Sequence, residues 1–150
     1  KFVKDSIGGM TIRVMDAIDA ATYGTLRRMK DDEHIPFEAI ERGDRDAAVR
    51  AYSALNPTDP AVREEWLNNL GYQLMNEGQV KKGQYIFFVN MQLYPKSANA
   101  YDSYAEACLK LGDKEQALVN YKRALSLDPQ NTNAARVVAE LEKEVIGSAR

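Results

Sequence analysis

The chain is poor in the residues from which active sites are most often built. It has one histidine, His34, and one cysteine, Cys108. A lone cysteine excludes an intrachain disulfide, and a small apolar residue is expected at its place on a helix face, so it reads as a packed core thiol. His34 follows Asp31, Asp32 and Glu33 in a polar run before Ile35-Pro36. Adjacent residues in such a run do not converge on one ion, and no second His or Cys is near in sequence, so the run reads as a solvated linker and no metal is expected. No Gly-x-Ser-x-Gly is present, no Ser precedes a Lys by three residues, and Ser6-Ile7-Gly8-Gly9 reads as a turn rather than a phosphate cradle. These absences argue against catalysis by the chain alone, and no cofactor is expected.

Charge of one sign is also missing. Twenty basic residues stand against 22 acidic ones, for a net charge of −2. The basic clusters, Arg27-Arg28-Lys30 and Lys81-Lys82, are short and separated, unlike the stripe that nucleic-acid binding requires. No apolar run approaches the roughly 20 residues of a membrane helix, and no signal-peptide pattern is visible. A chain of 150 residues, 45% hydrophobic and 28% charged, reads as about one soluble globular domain.

What is present is an internal echo. Gly78, Gly83, Phe87 and Pro95 return 34 residues later as Gly112, Ala117, Tyr121 and Pro129. A period of this length is the mark of stacked helical hairpins. Ser97 begins a first helix that runs to Leu111, Gly112 supplies a left-handed turn, and Asp113 caps a second helix from Lys114 to about Leu127, closed by Asp128-Pro129. In that second helix Ala117, Leu118, Tyr121, Ala124 and Leu125 recur at three- and four-residue steps. Upstream, Trp66, Leu67, Leu70, Gly71 and Leu74 form the first helix, Gly78 the break, and Val80, Gly83, Ile86, Phe87 and Met91 the second. A fainter copy, offset by 35, places Gly43, Ala48, Tyr52 and Pro60 in the same roles, with a first helix shortened by Pro36.

These positions resemble the tetratricopeptide family. The eighth position of that family's pattern holds Gly71 and Ala105, the twentieth Gly83 and Ala117, and the twenty-fourth Phe87 and Tyr121. The twenty-seventh is Ala124 in one copy and Asn90 in the other, a departure that bears on how closely the earlier helix pair packs. The resemblance implies an all-α, tetratricopeptide-like solenoid of helical hairpins, with an N-terminal helix and a C-terminal capping helix. It divides the chain into an N-terminal helical segment (1–35), a degenerate repeat (36–61), two repeats (64–97 and 98–131) and a capping helix with a tail (132–150).

The resemblance also implies a task. First helices line the concave face in this family, and their second, fifth, ninth and twelfth residues point into it. Here those are Glu65, Asn68, Tyr72 and Met75, then Asn99, Asp102, Glu106 and Leu109, with Asn133, Arg136 and Glu140 from the helix that follows. The candidate partner groove is therefore Asn68, Tyr72, Met75, Asn99, Asp102, Glu106 and Arg136, offering amides and carboxylates to an extended peptide. Asp102 and Glu106 would repel a terminal carboxylate. The expected partner is a protein, a peptide or an upstream domain of the same chain, and the helix after Pro129 leaves a homodimer open.

Between Thr11 and Lys30, Val14, Met15, Ile18, Ala21, Leu26 and Met29 fall near one face of a helix, which reads as an N-terminal cap or as the end of another domain. The runs Leu67 to Leu74, Phe87 to Asn90 and Tyr94 to Ser103 look like the tetratricopeptide tail that follows the catalytic domain in some bacterial serine hydrolases, beta-lactamase-like or esterase-like. That resemblance implies the C-terminal, non-catalytic module of a larger bacterial protein.

Overall fold

The structure, a computed structural model, describes residues 36–148. The stripe from Thr11 to Lys30, the Gly8-Gly9 pair and His34 lie outside the described residues. Within them the elements are α1 (Pro36–Glu41), α2 (Arg45–Ser53), a 3-10 turn (Pro60–Val62), α3 (Glu64–Asn76), α4 (Val80–Leu93), α5 (Ala98–Lys110), α6 (Lys114–Leu127) and α7 (Thr132–Ser148). No strand occurs among the described residues.

Local chemistry sets the boundaries. Side chains of Asp44, Ser97, Asp113 and Asn131 accept bonds from the backbone N–H groups of Ala47, Ala100, Gln116 and Ala134, satisfying donors that a helix start leaves orphaned. Each hairpin turns on a glycine with positive φ: Gly43 at 73°, Gly78 at 81° and Gly112 at 82°. The same pair of carbonyl bonds closes all three turns. The glycine N–H donates to Ile40, Met75 or Leu109, and the next N–H donates to Ala39, Leu74 or Cys108. This is a Schellman closure, in which a Cβ on the left-handed residue would be strained. The first helix of the degenerate copy is short as expected, with Pro36 as its first residue.

The helices stack as successive antiparallel hairpins, α1 on α2, α3 on α4 and α5 on α6, with α4 against α5 and α6 against α7. One core cluster joins Phe37, Ile40 and Tyr52 to Leu67, Leu74, Ile86 and Val89. A second joins Phe87 and Met91 to Tyr104, Cys108, Tyr121, Val137 and Leu141. Burying each large side chain contributes about 1.5–3 kcal/mol.

The α3–α4 pair is close despite Asn90. A Cβ on Gly71 would lie 2.3 Å from Phe87 Cε1, and one on Gly83 would lie 2.7 Å from the Gly71 carbonyl oxygen. Asn90 is fully buried and donates from Nδ2 to the Glu64 carbonyl at 3.1 Å, while its Oδ1 has no partner. The amide thus fastens the start of α3 instead of forcing the two helices apart.

Candidate partner groove

Stacking places α3 beside α5, and the helical register then decides which side chains meet. Residues about 34 apart in the chain become neighbours across the seam. The Tyr72 hydroxyl on α3 donates to Glu106 Oε2 on α5 at 2.8 Å, and Ser103 Oγ donates to Asn68 Oδ1 at 2.7 Å. One turn further, Ser97 Oγ donates to Glu64 Oε1. From the far side, Asn131 Nδ2 donates to Asp102 Oδ1 at 3.0 Å. Asn68, Tyr72, Asp102 and Glu106 are all half-buried, so they form one polar seam at the surface shared by α3, α5 and the start of α7.

The electrostatics are unusual for a surface. Burial pushes the Tyr72 phenol up to about 12, with the charges of Glu106 and Asp102 adding to it, so this hydroxyl remains a donor at neutral pH. Burial also raises the Asp102 carboxyl, the bond from Asn131 opposes that, and the Glu106 charge adds to it. Tyr121, from α6, is 2% exposed, and its phenol is raised by burial and then by Asp102, Glu106 and Tyr72. The charges of the same carboxylates thus reach this core residue, and that of Arg136 opposes them.

The expected groove residues do not all gather. Arg136 is exposed and holds Glu140 at 2.8 and 3.0 Å and Asn133 at 3.1 Å. Asn99 is exposed one turn before Ser103, apart from the seam. Met75 is a correction: it is 5% exposed and belongs to the core. The missing side chain of Gly83 explains this, because Met75 Cγ occupies the place where a Cβ would stand, 2.8 Å away. Three members of the seam, Ser103, Tyr121 and Asn131, were not expected. Tyr121 could have been found by comparing copies, since the equivalent Phe87 packs edge-on against Tyr72 at 5.0 Å without any hydroxyl.

Other chemistry-bearing groups are otherwise engaged. Cys108 is fully buried, burial raises its thiol, and Sγ accepts from Gln84 Nε2 at 3.2 Å, which describes an inert packed thiol. A shallow depression of about 430 Å³ is lined by Gly43, Asp44, Arg45, Asp46, Lys81 and Tyr85. Its two cations are matched by two carboxylates, and Arg45 stacks on the Phe88 ring at 4.0 Å. Among the described residues, no group of three or more His, Cys, Asp or Glu could hold a metal ion, and no helix is long and apolar enough to cross a membrane.

Comparison with known proteins agrees with this geometry. Residues 98–131 match the profile of the tetratricopeptide repeat. Over 51 residues the chain is 45% identical to serine/threonine-protein phosphatase T of Trypanosoma brucei brucei (strain 927/4 GUTat10.1), covering 34% of this chain and 11% of that protein. The match thus spans little more than a tenth of that relative. Among solved structures, a mutant of MamA superposes with a TM-score of 0.60 at 18% identity, over 75% of this chain and 81% of that one. The first tetratricopeptide domain of Spaghetti (RPAP3), bound to the HSP90 peptide SRMEEVD, superposes with a TM-score of 0.56 at 16% identity, over 83% and 95%. Identities this low speak for the fold alone. The chain carries a tetratricopeptide repeat at residues 98–131, and its described helices form an all-α solenoid of the tetratricopeptide type.

Proposed function

We propose that this chain is a non-catalytic interaction scaffold whose polar seam on α3, α5 and the start of α7 holds a segment of a partner protein. The observation that carries the reading is the convergence of Asn68, Tyr72, Asp102 and Glu106 from successive first helices onto one half-buried surface. Single polar residues on a helix are usually just solvated, whereas a joined set offers a line of donors and acceptors to an extended backbone. The RPAP3 domain shows that this fold class can hold a peptide. An acidic peptide of that kind is a poor match to Asp102 and Glu106.

The test is capture of partners from source cells by the chain and by a Tyr72→Ala, Asp102→Ala double variant of unchanged helicity. A partner retained by the first and lost by the second supports the seam. Equal capture moves the contact elsewhere on the solenoid.

The similarity of residues 67–74, 87–90 and 94–103 to the tail of some bacterial serine hydrolases supports placing the module behind a catalytic domain. An antibody to this chain that detects a native polypeptide several times larger than 16.8 kDa supports that placement, and a band near that size opposes it. The rival role, self-association through α7, draws on the exposure of Val145 and Ile146 at its end. A monomer by light scattering at high concentration removes it.

A further inference from the structure

Resting on the reading of the seam as a partner groove, we propose that it selects a basic side chain, an arginine or lysine of an extended peptide, at the carboxylates of Asp102 and Glu106. The first support is the inventory of donors. Asp102 spends Oδ1 on the neutral amide of Asn131, and Glu106 spends Oε2 on the neutral hydroxyl of Tyr72. The cation nearest to Glu106, Lys110, stands 4.0 Å from Oε1 and is nearly half exposed. Arg136 is committed to Glu140 and Asn133. Of these two half-buried carboxylates four residues apart on one helix face, Asp102 thus keeps Oδ2 free, and Glu106 shares Oε1 only with a half-exposed lysine at 4.0 Å. An ionised carboxylate has room for about four hydrogen bonds, and leaving that capacity unused in a partly desolvated place is costly.

Tyr121 supplies the second, independent support. Its side chain is 2% exposed, yet its hydroxyl makes no hydrogen bond with the described residues. The one enclosed side-chain polar atom left without a partner among them is Asn90 Oδ1, so the Tyr121 hydroxyl reaches an accessible surface, where the charges of Asp102 and Glu106 and the opposing charge of Arg136 act on it. Packing does not demand this oxygen, because Phe87 fills the equivalent place in the preceding hairpin. An unpartnered phenol oxygen, Asp102 Oδ2 and the loosely paired Glu106 Oε1 are the acceptors left for a guest. A guanidinium presents five N–H donors in a plane and an ammonium presents three. A ligand carboxylate presents none and meets like charge. A metal ion is a worse fit, because the described residues gather no third carboxylate, histidine or thiolate.

The experiment uses the full chain and blocked nonapeptides, acetylated and amidated, of Ala and Ser around a central Arg, Lys, norleucine or Glu. Binding is followed by amide shifts in NMR and by titration calorimetry. The Arg and Lys peptides are expected to move amides at 68–72 and 102–106, with affinity at least tenfold above that of the norleucine peptide. Asp102→Asn with Glu106→Gln should erase that preference while leaving the norleucine peptide unchanged. Tyr121→Phe, which copies the residue at position 87, should keep the fold and weaken the Arg peptide several-fold. If the norleucine or Glu peptide binds the same amides as tightly as Arg, the preference for a cation is wrong while the groove stands. If no peptide moves those amides, the groove itself is wrong and the inference falls with it.

Discussion

Gly71 has no room for a methyl group. With a Cβ placed 2.3 Å from the Phe87 ring, Gly71→Ala must push α3 and α4 apart, and the expected loss is about 1–3 kcal/mol in urea unfolding. Gly112 is the opposite case, with nothing within 4 Å of its Cβ position but φ of +82°. Any loss from Gly112→Ala is therefore conformational, about 1–2 kcal/mol. Asp102 makes a prediction with a sign. Burial raises its carboxyl, so the folded chain binds that proton more readily than the unfolded chain does, and the ionised form works against folding. This penalty is present above the raised folded value and is gone below the ordinary aspartate range. Asp102→Asn keeps an oxygen for Asn131 and should raise the Tm at pH 7, with the gain fading on acidification through that window. A variant less stable at pH 7 would show that the charge is held favourably.

At the scale of elements, α7 separates apolar from ionic fastening. Leu141 is 4% exposed in the second core cluster, and Leu141→Ala should cost about 2–5 kcal/mol. The bridge from Lys122 to Glu142 spans 2.7 Å, but both side chains are about half exposed. Screened pairs of that kind are worth about 0–1 kcal/mol, so Lys122→Ala should hardly move the urea midpoint. The contrast also explains which elements could be read from the sequence. Ser97, Gly112, Asp113 and Pro129 act within a few residues of themselves, so α5 and α6 fell where local chemistry put them. The 3-10 turn at Pro60–Val62 is too short to carry a period, although Asp59 caps it. Helix α7 runs to Ser148, through Gly147, a glycine that does not stop it. In the groove, the family resemblance singled out Asn68, Tyr72, Asp102 and Glu106, and the stacking of α3 on α5 brings them onto one seam. Met75 and Tyr121 were misplaced or missed because their surroundings depend on the facing helix, where Gly83 opens a space and the charges of α5 act on a phenol.

For the whole molecule, order along the stack is the governing fact. Helix α4 supplies Ile86 and Val89 to one core cluster and Phe87 and Met91 to the other, so it couples the two ends. Stability then behaves as a sum of units and nearest-neighbour interfaces. Hydrogen exchange should show this, with Leu141→Ala accelerating amides of α6 and α7 far more than those of α2; uniform acceleration would mean a single cooperative block. The bonds from Tyr72 to Glu106, Ser103 to Asn68 and Asn131 to Asp102 lie along the same line, and each spans a joint between hairpins. They act as struts that set the bend of the stack. Cutting any one of them, as Ser103→Ala would, is therefore expected to slacken a single joint and alter the curvature of the stack, which small-angle X-ray scattering would register as a change in overall dimensions.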